Sequence, residues 1–193
     1  FFSPSRTCVV FNAIFFLMVR STPFKSYERL YHEHIHARSA TIGSGVEVAP
    51  SEILGAGEGL FAQRPFKKGA LITGVDGNLI SYKEADELKA KGQHTHIRTL
   101  IRQHLCVNGL KVHPAPEGRG GGTYANDGRG NPDFPNNAEF HTINILDGTL
   151  PLCFLRATAD IEPGDEILTS YGRQYWQLHD EMFESAAKRA RLL

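Results

Sequence analysis

Residues 157–176 read ATADIEPGDEILTSYGRQYW. Pro163-Gly164 marks a turn, Ile167 and Leu168 make a short apolar strand, and Tyr171-Gly172 ends it. Upstream, EGRGGGTYANDGRGNPDFPNNAEF (117–140) is a long irregular loop, rich in Gly, Asn and Asp and interleaved with Tyr124, Phe134 and Phe140. A structureless loop of that length inside a domain is commonly functional or disordered. Further upstream lies GAGEGLFA (55–62). A dinucleotide-binding loop would follow a strand, open a helix and carry GxGxxG. Here Leu60 takes the last glycine position, and Pro65 with Lys67-Lys68-Gly69 opposes a following helix. No Gly cluster is followed by the Lys-Ser/Thr of a phosphate loop.

Around these segments the chain carries hairpin signals. Asp76-Gly77 lies between ALITGV and NLIS, Asn108-Gly109 between LCV and LKV, and Asp147-Gly148 between INIL and PLCFL. Asn-Gly and Asp-Gly supply the positive φ angles of tight turns. Three such signals predict a mostly antiparallel β domain, and the strand–helix alternation of a doubly wound sheet is absent. Ser81 with Glu84 makes a capping box for a helix over YKEADELKAK, which Gly92 suits as an end. A second helix is expected over 174–193, with Tyr175, Leu178, Met182, Phe183 and Ala186 at helical spacing and basic residues at its close. A short amphipathic helix is expected over 24–38, and GSGVEVAPS (43–51) reads as a linker.

The chain has 193 residues, with Lys+Arg 21 against Asp+Glu 21 and 41% hydrophobic residues. That length accommodates one domain with an extension. The zero net charge removes the basic footprint of a dedicated nucleic-acid binder. Cys8, Cys106 and Cys153 are too few and too scattered for a disulfide framework or a local zinc cluster. The run CVVFNAIFFLMV (8–19) is too short to span a membrane. It has the length of a signal-peptide core but no clear cleavage site follows, and a buried strand or a mistranslated start is expected over that reading. Phe1 in place of Met is expected to reflect a missing or processed start. His32, His34 and His36, with His94 and His96, alternate as metal-binding strand histidines do. The first set falls in a helical pattern, where neighbours two apart diverge, so they are expected to be solvated and no metal site is assigned. Lys67-Lys68 and Lys188-Arg189-Arg191 read as solvated basic faces. Asp160, Glu162, Asp165 and Glu166 form an acidic neighbourhood, either a soluble turn or an attractor for a basic peptide.

Three segments, in this order and spacing, resemble the motifs of SET-domain protein lysine methyltransferases. GAGEGLFA is similar to the family's N-terminal GxG motif. TYAND resembles its asparagine motif, with Asp127-Gly128 where His-Ser is usual. Pro135-Asn136-Asn137-Ala138 resembles the PN that follows, with Asn131-Pro132 as a rival alignment. ATADIEPGDEILTSYG resembles the terminal motif that leads to a catalytic Tyr-Gly. The resemblance runs over roughly residues 50–176 and implies a mostly β SET fold with a knot-like crossing of two C-terminal segments. The expected organisation is an extension over 1–45, a SET-like domain over 46–176 and a C-terminal helix over 177–193.

The same resemblance implies S-adenosylmethionine as methyl donor and a protein lysine as acceptor, histone being the family's best-known substrate class. Gly57, Glu58 and Gly59 would approach the donor through backbone groups, and Asn126 and Asp127 would help hold it. Tyr171 would be the active-site tyrosine and Tyr124 an aromatic wall of the lysine channel. Trp176 and Phe183 on the last helix are candidates for a lid, against ordinary core packing. The competing reading is a SET fold that binds a peptide or partner without catalysis. Neither nucleic acid nor membrane is expected as a partner, and a nuclear or cytoplasmic setting is expected over secretion.

Overall fold

The Asp147-Gly148 signal marks the hairpin on which the architecture is built. In the computed structural model, β8 (Ala138–Ile145) and β9 (Leu150–Ala157) pair antiparallel from Ala138 opposite Ala157 to Ile145 opposite Leu150. Strand β9, LPLCFLRA, is buried along nearly its whole length because it is the middle strand of its sheet, flanked by β8 and by β4 (Leu71–Gly74). Such double-sided burial explains a near-continuous apolar run in place of alternation. The structure describes residues 24–93, 95–100, 105–109, 114–146, 148 and 150–190, without the side chains of 24–27 and 182–190. The apolar run 8–19, His94 and Arg191 therefore lie outside the described residues, as do the side chains of Phe183, Lys188 and Arg189.

Two further three-stranded sheets lie among the described residues. One has the order β1 (Thr41–Ile42), β2 (Gly45–Pro50), β3 (Glu58–Ala62); the other has β5 (Asn78–Ser81) and β6 (Ile97–Leu100) on either side of β7 (Leu105–Asn108). Among the described residues strands predominate, with three α-helices beside them. The stretch read as a linker is strand β2, which pairs with β3 from Val46 opposite Ala62 to Pro50 opposite Glu58. Its Val-Glu-Val alternation buries Val46 fully against the core, an advantage that outweighs the turn propensity of its Gly and Ser neighbours.

Asp76-Gly77 is not a hairpin either. Strand β4 pairs with β9 and β5 pairs with β7, so the turn carries the chain from one sheet to another. Gly77 packs directly on the Asn108 backbone, where a Cβ would stand 2.3 Å from the carbonyl oxygen. For Asn108-Gly109, the LKV side lies outside the described residues.

Helix α1 (Phe24–His36) packs on β9 and β4, and buries Tyr31 and Ile35 completely. The Tyr31 hydroxyl donates to the Val75 carbonyl at 2.9 Å. Helix α2 (Tyr82–Ala90) begins at the expected capping box: the Ser81 hydroxyl accepts from the Glu84 N–H while the Glu84 carboxylate accepts from the Ser81 N–H. These bonds hold the Glu84 carboxyl below its ordinary range. Helix α3 (Arg173–Ala190) closes the described chain. No described helix is long and apolar enough to cross a membrane.

The core has two lobes joined by β9. Leu155 and Ala157 pack with Leu60, Phe66, Ile161 and Ile167, while Leu152 and Phe154 pack with Tyr31, Ile35, Leu79 and Leu100. The segment 166–169 threads between two others. Thr169 N–H donates to Asn126 O at 2.8 Å, Ala138 N–H donates to Leu168 O at 2.9 Å, and Ile167 N–H donates to Leu60 O at 2.7 Å. Parallel bridges join Asn126 to Leu168 and Ala138 to Thr169. That threading brings the GxG strand, the asparagine loop and the C-terminal motif to one place.

Candidate active site

Buried Asn126 links two of the three motifs. Its Nδ2 donates to the Glu58 carbonyl at 3.0 Å and to Glu166 Oε1 at 3.2 Å. Glu166 is itself buried, accepting the Ser51 hydroxyl at 2.7 Å and the Glu52 N–H at 2.9 Å. A Cβ at Gly59 would stand 2.2 Å from Glu166 Oε1, so glycine at this position makes room for the carboxylate. Gly57 differs: it has φ +77° and open space where a Cβ would project. Of the acidic neighbourhood, Glu166 is therefore not on the surface but inside, bracing the GxG strand. Asp160 pairs with Lys67 at 2.8 Å, and Asp165 accepts from the Glu162 N–H.

Asp127 stands at the join with Tyr171. Its Oδ2 accepts the Tyr171 N–H at 2.8 Å and the Trp176 indole N–H at 2.8 Å. Its Oδ1 accepts the Arg129 N–H at 2.8 Å and Asn136 Nδ2 at 3.0 Å. Burial alone would raise the Asp127 pKa, but these four donors outweigh it and hold the carboxyl below its ordinary range. Asn136 Oδ1 also accepts the Gly128 N–H, and Asn137 bridges Leu168 N–H and Glu166 O. Of the two rival alignments, Pro135-Asn136 supplies these stitches, while Asn131 caps an exposed turn at Asp133.

The Tyr171 hydroxyl donates to the Ala125 carbonyl at 3.0 Å. Its ring lies edge-on to Tyr175 and stacks on Trp176, with centroids 4.8 and 5.9 Å away. Burial, then Tyr175, pushes its pKa well above the ordinary phenol range, against the opposing pull of Arg98. The phenol is thus neutral at physiological pH and serves as a hydrogen-bonding group, not a base. The Arg98 guanidinium lies 3.6 Å from the Phe140 ring centroid and 5.4 Å from that of Tyr171. Beside them is a cavity of about 20 Å³, also lined by Val75, His96, Gly122 and Thr123. That is room for about one water molecule.

Tyr124 is buried and lines a different, larger cavity of about 550 Å³. Thr123 lines both, so the two tyrosines flank one short helical turn, Gly122–Tyr124, from different cavities. The structure thus brings Glu58, Gly59, Asn126, Asp127 and Tyr171 into one bonded cluster, with Gly57 at its open edge and Tyr124 apart. Arg98 and Phe140 complete the surroundings of Tyr171, and neither stands in a motif that spacing could flag. Glu166 and Asn137 stood inside the motifs, but their inward roles needed the threaded segment.

Residues 57–172 match the family model described as the SET domain. The chain belongs to the SET-domain family. The match covers more than half of the chain and contains the GxG strand, the asparagine loop and Tyr171. Among solved structures, the chain is similar to a ctPRC2 chain in an autoinhibited conformation bound to S-adenosylmethionine. The likeness has a TM-score of 0.54 and 20% identity, and covers 76% of this chain and 17% of that one. It is similar as well to apo ctPRC2 carrying two substitutions in Ezh2, with a TM-score of 0.52, 20% identity and coverage of 71% and 16%. A humanized mutant of the Chaetomium thermophilum Polycomb Repressive Complex 2, bound to an inhibitor, gives 0.50, 22%, 66% and 15%. At these identities the likeness is one of SET fold, and the chain spans less than a fifth of the length of those chains. No curated protein matches.

Proposed function

We propose that this SET-domain chain is an S-adenosylmethionine-dependent protein lysine methyltransferase. The observation that carries the reading is the join of Asn126-Asp127 to the segment ending at Tyr171, through Thr169 N–H on Asn126 O and Tyr171 N–H on Asp127 Oδ2. A donor-side loop and a neutral, half-buried phenol are thereby parts of one hydrogen-bonded unit. The backbone at Gly57 is open where a Cβ would project, which fits a ligand laid along the GxG turn beside Asn126.

S-adenosylmethionine, when bound, supplies an electrophilic methyl carbon on a positively charged sulfur. This chain's own task is to present an uncharged amine to it. A free lysine has a pKa of about 10.4, so the amine must shed a proton before it can act as nucleophile. The partly buried surroundings of Tyr171 penalise the ammonium form. The Tyr171 hydroxyl, fixed on Ala125 O, orients the amine and needs no change of its own protonation state. Phe140 and Tyr171 favour a cationic methylated product by their ring faces. In this reading Asp127 supports the donor site indirectly, by holding Trp176 and the Tyr171 backbone. The acceptor is a protein with an accessible lysine, with histone the first class to test.

One observation favours the second reading, a partner-binding module without catalysis: a cavity of about 20 Å³ beside Tyr171, with Arg98 on its rings, is too small for a lysine side chain. Calorimetric titration with S-adenosylmethionine separates the two. Binding by the wild type that weakens at least about tenfold in Asn126→Ala, followed by methyl incorporation into histone or a lysine-peptide library, establishes the methyltransferase. Folded wild type that binds no donor establishes the scaffold.

A further inference from the structure

Apart from the Tyr171 cluster, three side chains that metals favour converge on one point. His32 and His36 stand one turn apart on α1 and present the same face. Asp76 reaches them from the turn between β4 and β5. His36 Nε2 lies 3.2 Å from Asp76 Oδ2, and His32 Nδ1 lies 2.5 Å from Asp76 Oδ1. One donor atom from each of the three falls within 4.8 Å of the others. His34, between them, points elsewhere, and its Nδ1 lies 3.1 Å from Arg38 Nη1.

The pairing of His32 with Asp76 is close without being an aligned hydrogen bond. His32 Nδ1 and Asp76 Oδ1 are both buried and have no hydrogen-bond partner among the described residues. A buried imidazole nitrogen and a carboxylate oxygen this close need either a proton on Nδ1 or a shared cation between them. Asp76 Oδ2, by contrast, is used: it accepts the Gly120 N–H at 3.2 Å. Arg119 Nη1 stands 3.7 Å from Asp76 Oδ1, on a half-exposed side chain. His32, Asp76 and Arg119 also line the cavity of about 550 Å³, which offers a way in.

We propose that His32, His36 and Asp76 form a binding site for a divalent transition metal of the zinc class, with one donor atom from each residue and the remaining position facing the cavity. Two imidazoles and one carboxylate are a donor set that zinc accepts. At zinc–ligand distances near 2.0–2.1 Å, tetrahedral donor atoms stand about 3.3 Å apart, so small side-chain rotations suffice. The ion ties α1 to the β4–β5 turn and, through Asp76 and Gly120, to the loop that leads to Thr123 and Tyr124. Arg119 is its competitor for the carboxylate. The site stands independently of the methyl-transfer reading.

The test uses the full chain, stripped with a chelator, titrated with Zn²⁺ by calorimetry and with Co²⁺ by visible absorption. One equivalent is expected to bind, with the intense visible bands of four-coordinate Co²⁺ and a rise in Tm that chelator reverses. His32→Ala and His36→Ala each weaken binding at least about tenfold, and His34→Ala leaves it unchanged. Arg119→Ala tightens it, a gain that a misfolded variant cannot give. Absence of saturable binding in folded wild type, binding that survives His32→Ala with His36→Ala, or weakening in Arg119→Ala each overturns the proposal.

Discussion

Asp127 and Trp176, 49 residues apart in the chain, are joined by one hydrogen bond of 2.8 Å from the indole N–H to Oδ2. The same oxygen accepts the Tyr171 N–H, so one carboxylate fixes both the segment that carries the phenol and the start of helix α3. Asp127→Ala leaves several of these donors without an acceptor. Its expected cost is about 2–4 kcal/mol, read as a fall in Tm of about 5–12 °C.

The same carboxylate gives a pH dependence of known sign. Its pKa is lower folded than unfolded, so its contribution is full above the unfolded value of roughly 3.9 and is lost as pH falls through the folded value. Asp76, Asp160 and Asp180 are shifted the same way, so the comparison must be a difference. Asp127→Asn is expected to lose less stability than wild type between pH 5 and pH 3 in denaturant titrations, by up to about 1 kcal/mol. Parallel curves would mean that Asp127 is no better held folded than unfolded.

Gly59 is required by the buried Glu166 carboxylate, 2.2 Å from where a Cβ would stand. Gly59→Ala pushes that carboxylate off Ser51, Glu52 and Asn126 together. We expect a loss of about 2–3 kcal/mol and weaker donor binding, measured by chemical denaturation and calorimetry. Unchanged stability would show that the strand moves freely past Glu166.

Tyr171→Phe keeps the ring contacts with Trp176 and Tyr175 and removes the hydroxyl on Ala125 O. Stability should change by no more than about 1.5 kcal/mol, and donor affinity by little. The single-turnover methylation rate should fall about a hundredfold. A rate equal to wild type would take Tyr171 out of the mechanism.

Arg98 obstructs the cavity beside Tyr171 while it holds the cation–π contact with Phe140. Moving it aside costs about 1–2 kcal/mol, a cost that Arg98→Ala removes from peptide entry. The variant should show kcat/KM for a lysine peptide raised about tenfold. A fall would mean that the cation is needed in place, to keep the amine neutral.

Local chemistry made some of this molecule readable in advance. The Ser81–Glu84 capping box lies within four residues, so the α2 start needed nothing from the rest of the chain. The β8–β9 hairpin and the three motif segments were equally local. The linker expected over 43–51 and the hairpin expected at Asp76-Gly77 were misread because in each case a distant partner, β3 or β7, outcompeted local turn preference. His32 and His36 were read as solvated because α1 shows only its own periodicity, not the carboxylate that meets it 40 residues on.

Sequence by itself determined the strand-rich class, the capped helix, the family motifs and the order of Gly57, Asn126 and Tyr171 along the chain. Only the tertiary structure decided that Glu166 faces inward, that Asp127 holds Tyr171 and Trp176, that Arg98 covers the Tyr171 ring, and that Tyr124 lines another cavity. The physical reason is the range of the forces involved. Turns, caps and hydrophobic alternation act between near neighbours, whereas these side chains are oriented by groups brought close only when the 166–169 segment threads between Asn126 and Ala138.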